Sequence, residues 1–225
     1  MLFQTAEALR RSDAGEVSDA YALVRILTPL IKFRACRDAR KVCGDAMEVR
    51  GGCGYIEEWS DARLLRDAHL GSIWEGTSNI VALDVIRAIR RDAALPALQA
   101  HLQRLLAESR LAPRVREIFA RQLQLSLDLA RQVAEAQGAL DHGARQAASA
   151  LYHATTAIAM AWEATRIDSP RRLRLAQLVL RERSAGLGSG GGLAAEPAWM
   201  SSLLEPAAEA DLAALDTIDL FQDEQ

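Results

Sequence analysis

Three consecutive segments between residues 97 and 167 repeat apolar residues at helical spacing, and this pattern constrains the fold most. The segments cover about 97–109, 113–137 and 142–167. A stripe of this width is typical of a helix that buries one face in a bundle. The three stripes are Leu98, Leu102, Leu105 and Leu106; Val115, Ile118, Phe119, Leu123, Leu127 and Val133; and Ala147, Leu151, Ile158 and Trp162.

The rest of the chain favours the same class of fold. Residues 2–11 read as the end of a helix, and residues 18–49 as a long amphipathic helix, kinked where Pro29 removes a hydrogen bond. The glycines at 51, 52 and 54 should end that helix, and further helices are expected near 77–91 and 171–183. Half of the residues are hydrophobic, 5% are aromatic and six are proline. We therefore predict an all-α protein.

A change of composition near Pro96 predicts a domain boundary. We expect a helical domain at 1–93, a second helical bundle at 94–185, and a flexible Gly-rich and acidic tail at 186–225. Residues 101–183 contain 13 arginines against 8 acidic residues, whereas residues 184–225 contain 8 acidic residues and no basic one. The second bundle should therefore be mildly basic.

Several classes of protein do not fit this sequence. No stretch approaches the ~18 apolar residues of a membrane span, and no signal peptide precedes the first helix, so we expect a cytoplasmic protein. The three cysteines form no CxxC pair, and the four histidines lack metal-ligand spacing. We therefore expect free thiols and no metal site.

Residues 71–80 contain the candidate catalytic group. Glu75 lies between Trp74 and Gly76 at the start of a helix, with Thr77 and Ser78 as good N-caps. A carboxylate beside an indole and a glycine should be poorly solvated, which would raise its pKa toward the range of a general base. A single glutamate at a helix start is also typical of a surface residue stabilised by the helix dipole. The residues alone leave both interpretations open.

Four motifs in series resemble the C-terminal domain of the acyl-CoA dehydrogenase flavoprotein family. They are the Gly-Gly-Cys-Gly-Tyr sequence at 51–55, the acidic turn at 57–58, Arg-Leu-Leu-Arg-Asp at 63–67, and Ile-Trp-Glu-Gly-Thr at 73–77. Trp74 stands where the family usually has tyrosine. Together with the Asn-Ile pair at 79–80 and Ala-Met-Glu-Val at 46–49, the Trp-Glu-Gly sequence most resembles the adaptive-response (AidB-type) branch.

The resemblance implies an FAD-dependent enzyme that dehydrogenates an acyl-CoA thioester between Cα and Cβ, as in fatty acid metabolism. Glu75 would be the general base, and Trp74 would lie beside the acyl chain. Glu48 replaces the family's usual glutamine, and a carboxylate cannot donate a hydrogen bond to the cofactor. The family is commonly tetrameric, which implies a homo-oligomer. The residues expected to line the FAD are Gly51, Gly52, Thr77 and Asn79.

Family members have a helical domain and a β-domain ahead of this region. We therefore expect the chain to be a C-terminal part that binds FAD weakly and is inactive alone. An alternative is a non-catalytic helical module that binds double-stranded DNA or a partner protein through its arginines, with Arg171, Arg172 and Arg174 as candidates. A remnant without activity is the third possibility.

Overall fold

The computed structural model of the chain describes residues 1–16 and 19–184, the last three by their backbone alone. Within these residues all regular structure is helical, which confirms the predicted fold class. The predicted tail at 186–225 lies outside them. The helices are α1 (Leu2–Asp13), α2 (Ala20–Val49), α3 (Gly52–Tyr55), α4 (Asp61–Gly71), α5 (Ser78–Arg91), α6 (Ala94–Glu108), α7 (Pro113–Glu135), a 3-10 turn (Asp141–Gly143), α8 (Ala144–Arg166) and α9 (Pro170–Ser184).

The helix ends follow local sequence signals. Helix α2 ends at Val49, and Gly51 adopts the positive φ of 58° that was expected of a glycine helix stop. Pro29 lies buried inside α2, yet the helix continues through it to Val49. At the start of α9, the backbone N–H of Arg172 donates to the hydroxyl of Ser169 at 3.4 Å. None of the described helices is both long and apolar enough to cross a membrane.

Helix α2 is the centre of the first part of the molecule and packs against α1, α3, α4 and α5. Its first half is buried through side chains at helical spacing, with Ile26 and Leu30 fully inaccessible to solvent. The amphipathic helix predicted at 18–49 implied a buried apolar face along its whole length, and this is wrong for its end, because Val42 and Val49 are 64% and 88% exposed. The helices that pack on α2 bury its first half, and they leave much of the second half open.

The chain divides into two compact units that share long helices. One unit contains residues 1–98 and 127–152 and the other residues 99–126 and 153–184, as far as the structure describes the chain, without residues 17 and 18. The helices α6, α7 and α8 each contribute residues to both units, and the domain limits expected at 1–93 and 94–185 stay predictions. The assignment of residues 1–93 to a flavin-proximal domain stays a prediction.

Small residues on α8 and a polar cluster hold the second unit together. Ala157, Ala161 and Ala164 are fully buried, and such small side chains let neighbouring helices pack closely. Glu108 of α6 accepts a hydrogen bond from the Trp162 indole at 3.0 Å. The indole N–H, followed by the guanidinium of Arg104, holds the pKa of Glu108 below its usual range. This cluster joins α6 to α8.

Replacing Gly54 by alanine should destabilise the first unit. Gly54 is buried, and an added Cβ would lie 2.3 Å from the backbone oxygen of Met47. Since backbone cannot rotate away as a side chain does, we expect a loss of about 1–3 kcal/mol in the free energy of unfolding, measured by chemical denaturation.

Gly44→Ala is the matched control for that experiment. Gly44 lies inside α2, and an added Cβ there meets no atom within 4 Å. Alanine should therefore stabilise the helix by about 0.5–1 kcal/mol. Equal stability of the two variants would contradict the proposed clash.

Candidate functional site

The candidate site is the loop between α4 and α5, where the backbone is constrained. Glu75 has a φ of 55° and Gly76 a φ of 113°, so two consecutive residues occupy the left-handed region. For a residue with a side chain, such as Glu75, this conformation costs roughly 1–2 kcal/mol. The surrounding structure must therefore stabilise this turn.

Lys32 of α2 makes the principal contacts to the loop. Its Nζ donates to the backbone oxygen of Trp74 at 2.9 Å and lies 3.4 Å from Oε2 of Glu75. The same ammonium lies 5.5 Å from the centre of the Trp74 ring, within the range of a cation–π interaction. The Lys32 side chain is 24% exposed and that of Glu75 is 69% exposed. The cation is thus partly enclosed, whereas the carboxylate faces solvent.

The expectation that Glu75 is held in a dry setting is wrong. Its side chain is 69% exposed, and Trp74 is itself 57% exposed. Trp74 and Gly76 are neighbours of Glu75 in sequence, but the described helices leave the Glu75 side chain exposed. Solvation depends on the atoms that surround a group in space, and here one side of the carboxylate is open.

A shallow depression lies beside Glu75. It is open to solvent and encloses no cavity. An added Cβ on Gly71 would lie 3.4 Å from Sγ of Cys36, so the end of α4 lies close against α2. The depression is an open feature of the surface beside the loop. It is lined by Lys32, Phe33, Cys36, Gly71, Ser72, Gly76, Ser78 and Val81.

The start of α5 has backbone N–H groups that donate to no other described residue. Thr77 occupies the predicted N-cap position with an extended backbone, but its side chain forms no capping hydrogen bond. The first intrahelical bond runs from the N–H of Val81 to the oxygen of Thr77 at 3.0 Å, so the three preceding N–H groups face outward. Thr77 and Asn79 are exposed beside them. Such a helix start suits a polar or anionic group.

Helix α5 is fixed to α2 by an ion pair. The guanidinium of Arg25 donates to Asp84 at 3.0 Å and pairs with Asp92 at 3.2 Å. The hydrogen bond from Arg25 holds the pKa of Asp84 below its usual range. These contacts set the position of α5, and therefore of the donors at its start, relative to Lys32.

The glycine turn forms a second open surface. Gly51 and Gly52 are exposed, and an added Cβ on either would meet no atom within 4 Å. Among the described residues, no hydrogen bond or ion pair joins this turn to Glu75. The structure therefore brings Trp74, Glu75, Thr77 and Asn79 into one loop and helix start, whereas Gly51 and Gly52 lie on a separate turn.

The three candidate DNA-binding arginines do not form one exposed face. Arg171 is exposed, whereas Arg172 pairs with Glu163 and Arg174 is half-buried. Two other arginines of the same unit share one carboxylate, since Arg104 and Arg166 both pair with Glu108, at 2.9 Å each. DNA binding stays a prediction.

Sequence reasoning missed Lys32. The available signal was a charged residue directly before Phe33, which is 2% exposed, on the buried half of α2. No sequence motif links it to the loop, because the two groups are 43 residues apart. In the part of the chain that the structure describes, no set of three or more His, Cys, Asp or Glu side chains is arranged to hold a metal ion.

Comparison with known proteins finds similarity to one family. Residues 1–90 match the family model described as acyl-CoA dehydrogenase, C-terminal domain. The chain is 34% identical to Escherichia coli AidB over 185 residues, which is 80% of this chain and 32% of that protein. It is 37% identical over 112 residues to acyl-CoA dehydrogenase family member 11 of Caenorhabditis elegans, which is 49% of this chain and 18% of that protein.

Solved structures agree with this similarity. Caenorhabditis elegans ACDH-11 in complex with C11-CoA superposes with a TM-score of 0.68 at 26% identity, over 80% of this chain and 32% of that one. The apo form of Bd2924 superposes with a TM-score of 0.58 at 30% identity, over 71% of this chain and 29% of that one. The chain thus spans at most about a third of the length of these relatives.

Proposed function

We propose that the chain, whose residues 1–90 match the C-terminal domain of the acyl-CoA dehydrogenases, takes part in α,β-dehydrogenation of an acyl-CoA thioester. The proposal rests on the turn formed by Glu75 and Gly76, which both have a positive φ. It holds an accessible carboxylate in a constrained conformation, beside a depression and next to the donors at the start of α5. The complex of ACDH-11 with C11-CoA supports a thioester of this class as substrate.

Glu75 acts as the general base in this proposal. Its carboxylate takes the proton from Cα of the acyl group, which requires an approach of about 2.6–3.2 Å between the heavy atoms, and the open face of the loop allows such an approach. The exposed indole of Trp74 lies next to the base, where it would pack against the acyl chain. A double bond forms between Cα and Cβ as a hydride leaves Cβ.

The residues present fit contacts to FAD on two separate open surfaces. The uncapped start of α5, with Thr77 and Asn79 exposed, offers donors to a polar edge of the cofactor, and Gly51 and Gly52 leave their backbone open to a close approach. When bound, the flavin supplies the acceptor for the hydride from Cβ. Placement in the AidB-type branch and in the cytoplasm belongs to the same proposal.

Self-association is also part of the proposal. Among the described residues, large exposed apolar side chains are concentrated in the first 80 residues, including Val49 at 88% and Tyr55 at 77% exposure. Apolar surface of this kind is commonly covered by another protein surface. A homo-oligomer is consistent with this pattern.

The purified chain by itself should contain little or no flavin. Its depression is shallow and open, so it offers a cofactor few contacts compared with a concave site that buries most of a ligand. The visible absorbance spectrum after incubation with FAD and gel filtration measures this. Retention of one flavin per chain would contradict the prediction.

A graft tests the function itself. The graft is ACDH-11 in which the segment that matches this chain is replaced by the full chain. Oxidation of C11-CoA and of shorter acyl-CoA thioesters is followed with a dye as electron acceptor. We expect turnover above that of free FAD. A graft that retains FAD but oxidises none of the thioesters would overturn the proposal.

A further inference from the structure

We propose that Lys32 is a positioning residue that sets the conformation of Glu75 through the backbone oxygen of Trp74. This inference rests on the proposed function of Glu75 as the base. Lys32 lies on a different element, helix α2, and contacts the loop between α4 and α5 that bears Glu75.

The backbone bond acts on the constrained dihedral angle. The oxygen that accepts from Lys32 belongs to the peptide group between Trp74 and Glu75. The orientation of this peptide plane determines φ of Glu75, which is 55°. A hydrogen bond from a charged donor is roughly twice as strong as one between neutral groups. The 2.9 Å bond therefore opposes rotation of the peptide out of the left-handed region.

The contact to the carboxylate is weaker. Oε2 of Glu75 lies 3.4 Å from the ammonium, and the Glu75 side chain is 69% exposed. An ion pair open to water contributes little. Lys32 therefore leaves the carboxylate available to take a proton, while it restricts the backbone from which that carboxylate projects.

Helix α2 holds the side chain of Lys32 on a rigid support. Lys32 directly precedes Phe33, which is 2% exposed, and Ile26 and Leu30 on the same helix are fully buried. The ammonium has three donors, so one group can contact both the carbonyl and the carboxylate. Its position over the Trp74 ring restrains the neighbouring side chain as well. The loop between α4 and α5 and the helix α2 are therefore held together beside the depression.

The first test uses the full chain without substrate or flavin. Lys32→Met should accelerate hydrogen exchange at the amides of Ile73 and Trp74, which are protected by bonds to the oxygen of Leu70 at 2.9 and 3.1 Å. We expect about a tenfold increase, the factor that corresponds to the loss of one hydrogen bond. Lys41→Met is the matched control, because Lys41 lies on the same helix, is 68% exposed and pairs with Asp45.

The second test uses the graft. Lys32→Met should lower kcat by roughly 10- to 100-fold, since a base misplaced by about 1 Å can cost that much, while KM for the thioester stays within about twofold. Lys32→Arg restores a charged donor at the same position and should recover most of the rate and of the amide protection. If Lys32→Met fails to fold, Lys32→Gln is used instead. We expect it to change the amide exchange rates and kcat in the same direction, but by smaller factors.

The outcomes separate the two proposals. Unchanged exchange at Ile73 and Trp74 in the full chain would overturn the role of Lys32, whatever the enzyme kinetics. A rise in KM with kcat unchanged would also overturn it, because Lys32 would then contact the substrate. Full turnover of the graft with Glu75→Gln would instead refute the proposed function, and the exchange experiment would still decide whether Lys32 holds the loop.

Discussion

Glu75→Gln in the graft is expected to lower the rate of acyl-CoA oxidation by about 10²- to 10⁴-fold, the usual contribution of a positioned general base. The amide has the same shape as the carboxylate but cannot accept the α-proton. The variant keeps the backbone oxygen of Trp74 to which Lys32 donates, so the loop should keep its conformation. Steady-state turnover and flavin absorbance measured on the same preparation report the loss.

Two controls make this result interpretable. Glu58→Gln removes an exposed carboxylate elsewhere in the first unit and should leave turnover unchanged. Flavin content should be equal in wild type and in Glu75→Gln, because the proposed cofactor contacts are made by other residues. A Glu75→Gln graft that turns over at the wild-type rate would show that another group takes the proton.

Phe119→Ala should destabilise the second unit by about 3–5 kcal/mol, because it removes a large buried side chain and leaves a cavity. Phe119 lies on α7 and is fully inaccessible to solvent. Native domains have a free energy of unfolding of about 5–15 kcal/mol, so this loss is a large fraction of the total. Denaturant unfolding followed by circular dichroism measures it.

Ile118→Ala is the matched control on the same helix. Ile118 precedes Phe119 and is only partly buried, so its truncation removes fewer contacts and should cost clearly less. The comparison separates the loss of a core side chain from a general effect of alanine on α7. Equal losses for the two variants would mean that Phe119 does not occupy the core of the unit.

Local signals in the sequence predicted most of the helices. The apolar spacing in 113–137 predicted α7, which the structure places at Pro113–Glu135, and the helix expected near 171–183 is α9, Pro170–Ser184. Gly51 ended α2 as expected. Helical periodicity and helix stops depend on neighbouring residues, so the chain contains this information locally. The same holds for the ordered motifs that resemble the acyl-CoA dehydrogenases.

The candidate site was predicted only as a set of positions. The sequence identified Glu75 and its neighbours, but the expected dry setting was wrong, since the carboxylate is 69% exposed. Thr77 occupies the N-cap position without forming the expected side-chain bond. The roles of Glu75, Trp74, Thr77, Asn79 and the glycines at 51 and 52 remain predictions for the experiments above.

By itself, therefore, the sequence determined the helical class, most helix limits and the order of the family motifs, because each depends on residues within a few turns of one another. Only the tertiary structure decided that Lys32 holds the loop from 43 residues away, that Glu75 faces solvent, and that the second half of α2 is largely uncovered. Solvation and long-range hydrogen bonds depend on which distant segments meet, and no local spacing in the chain specifies that.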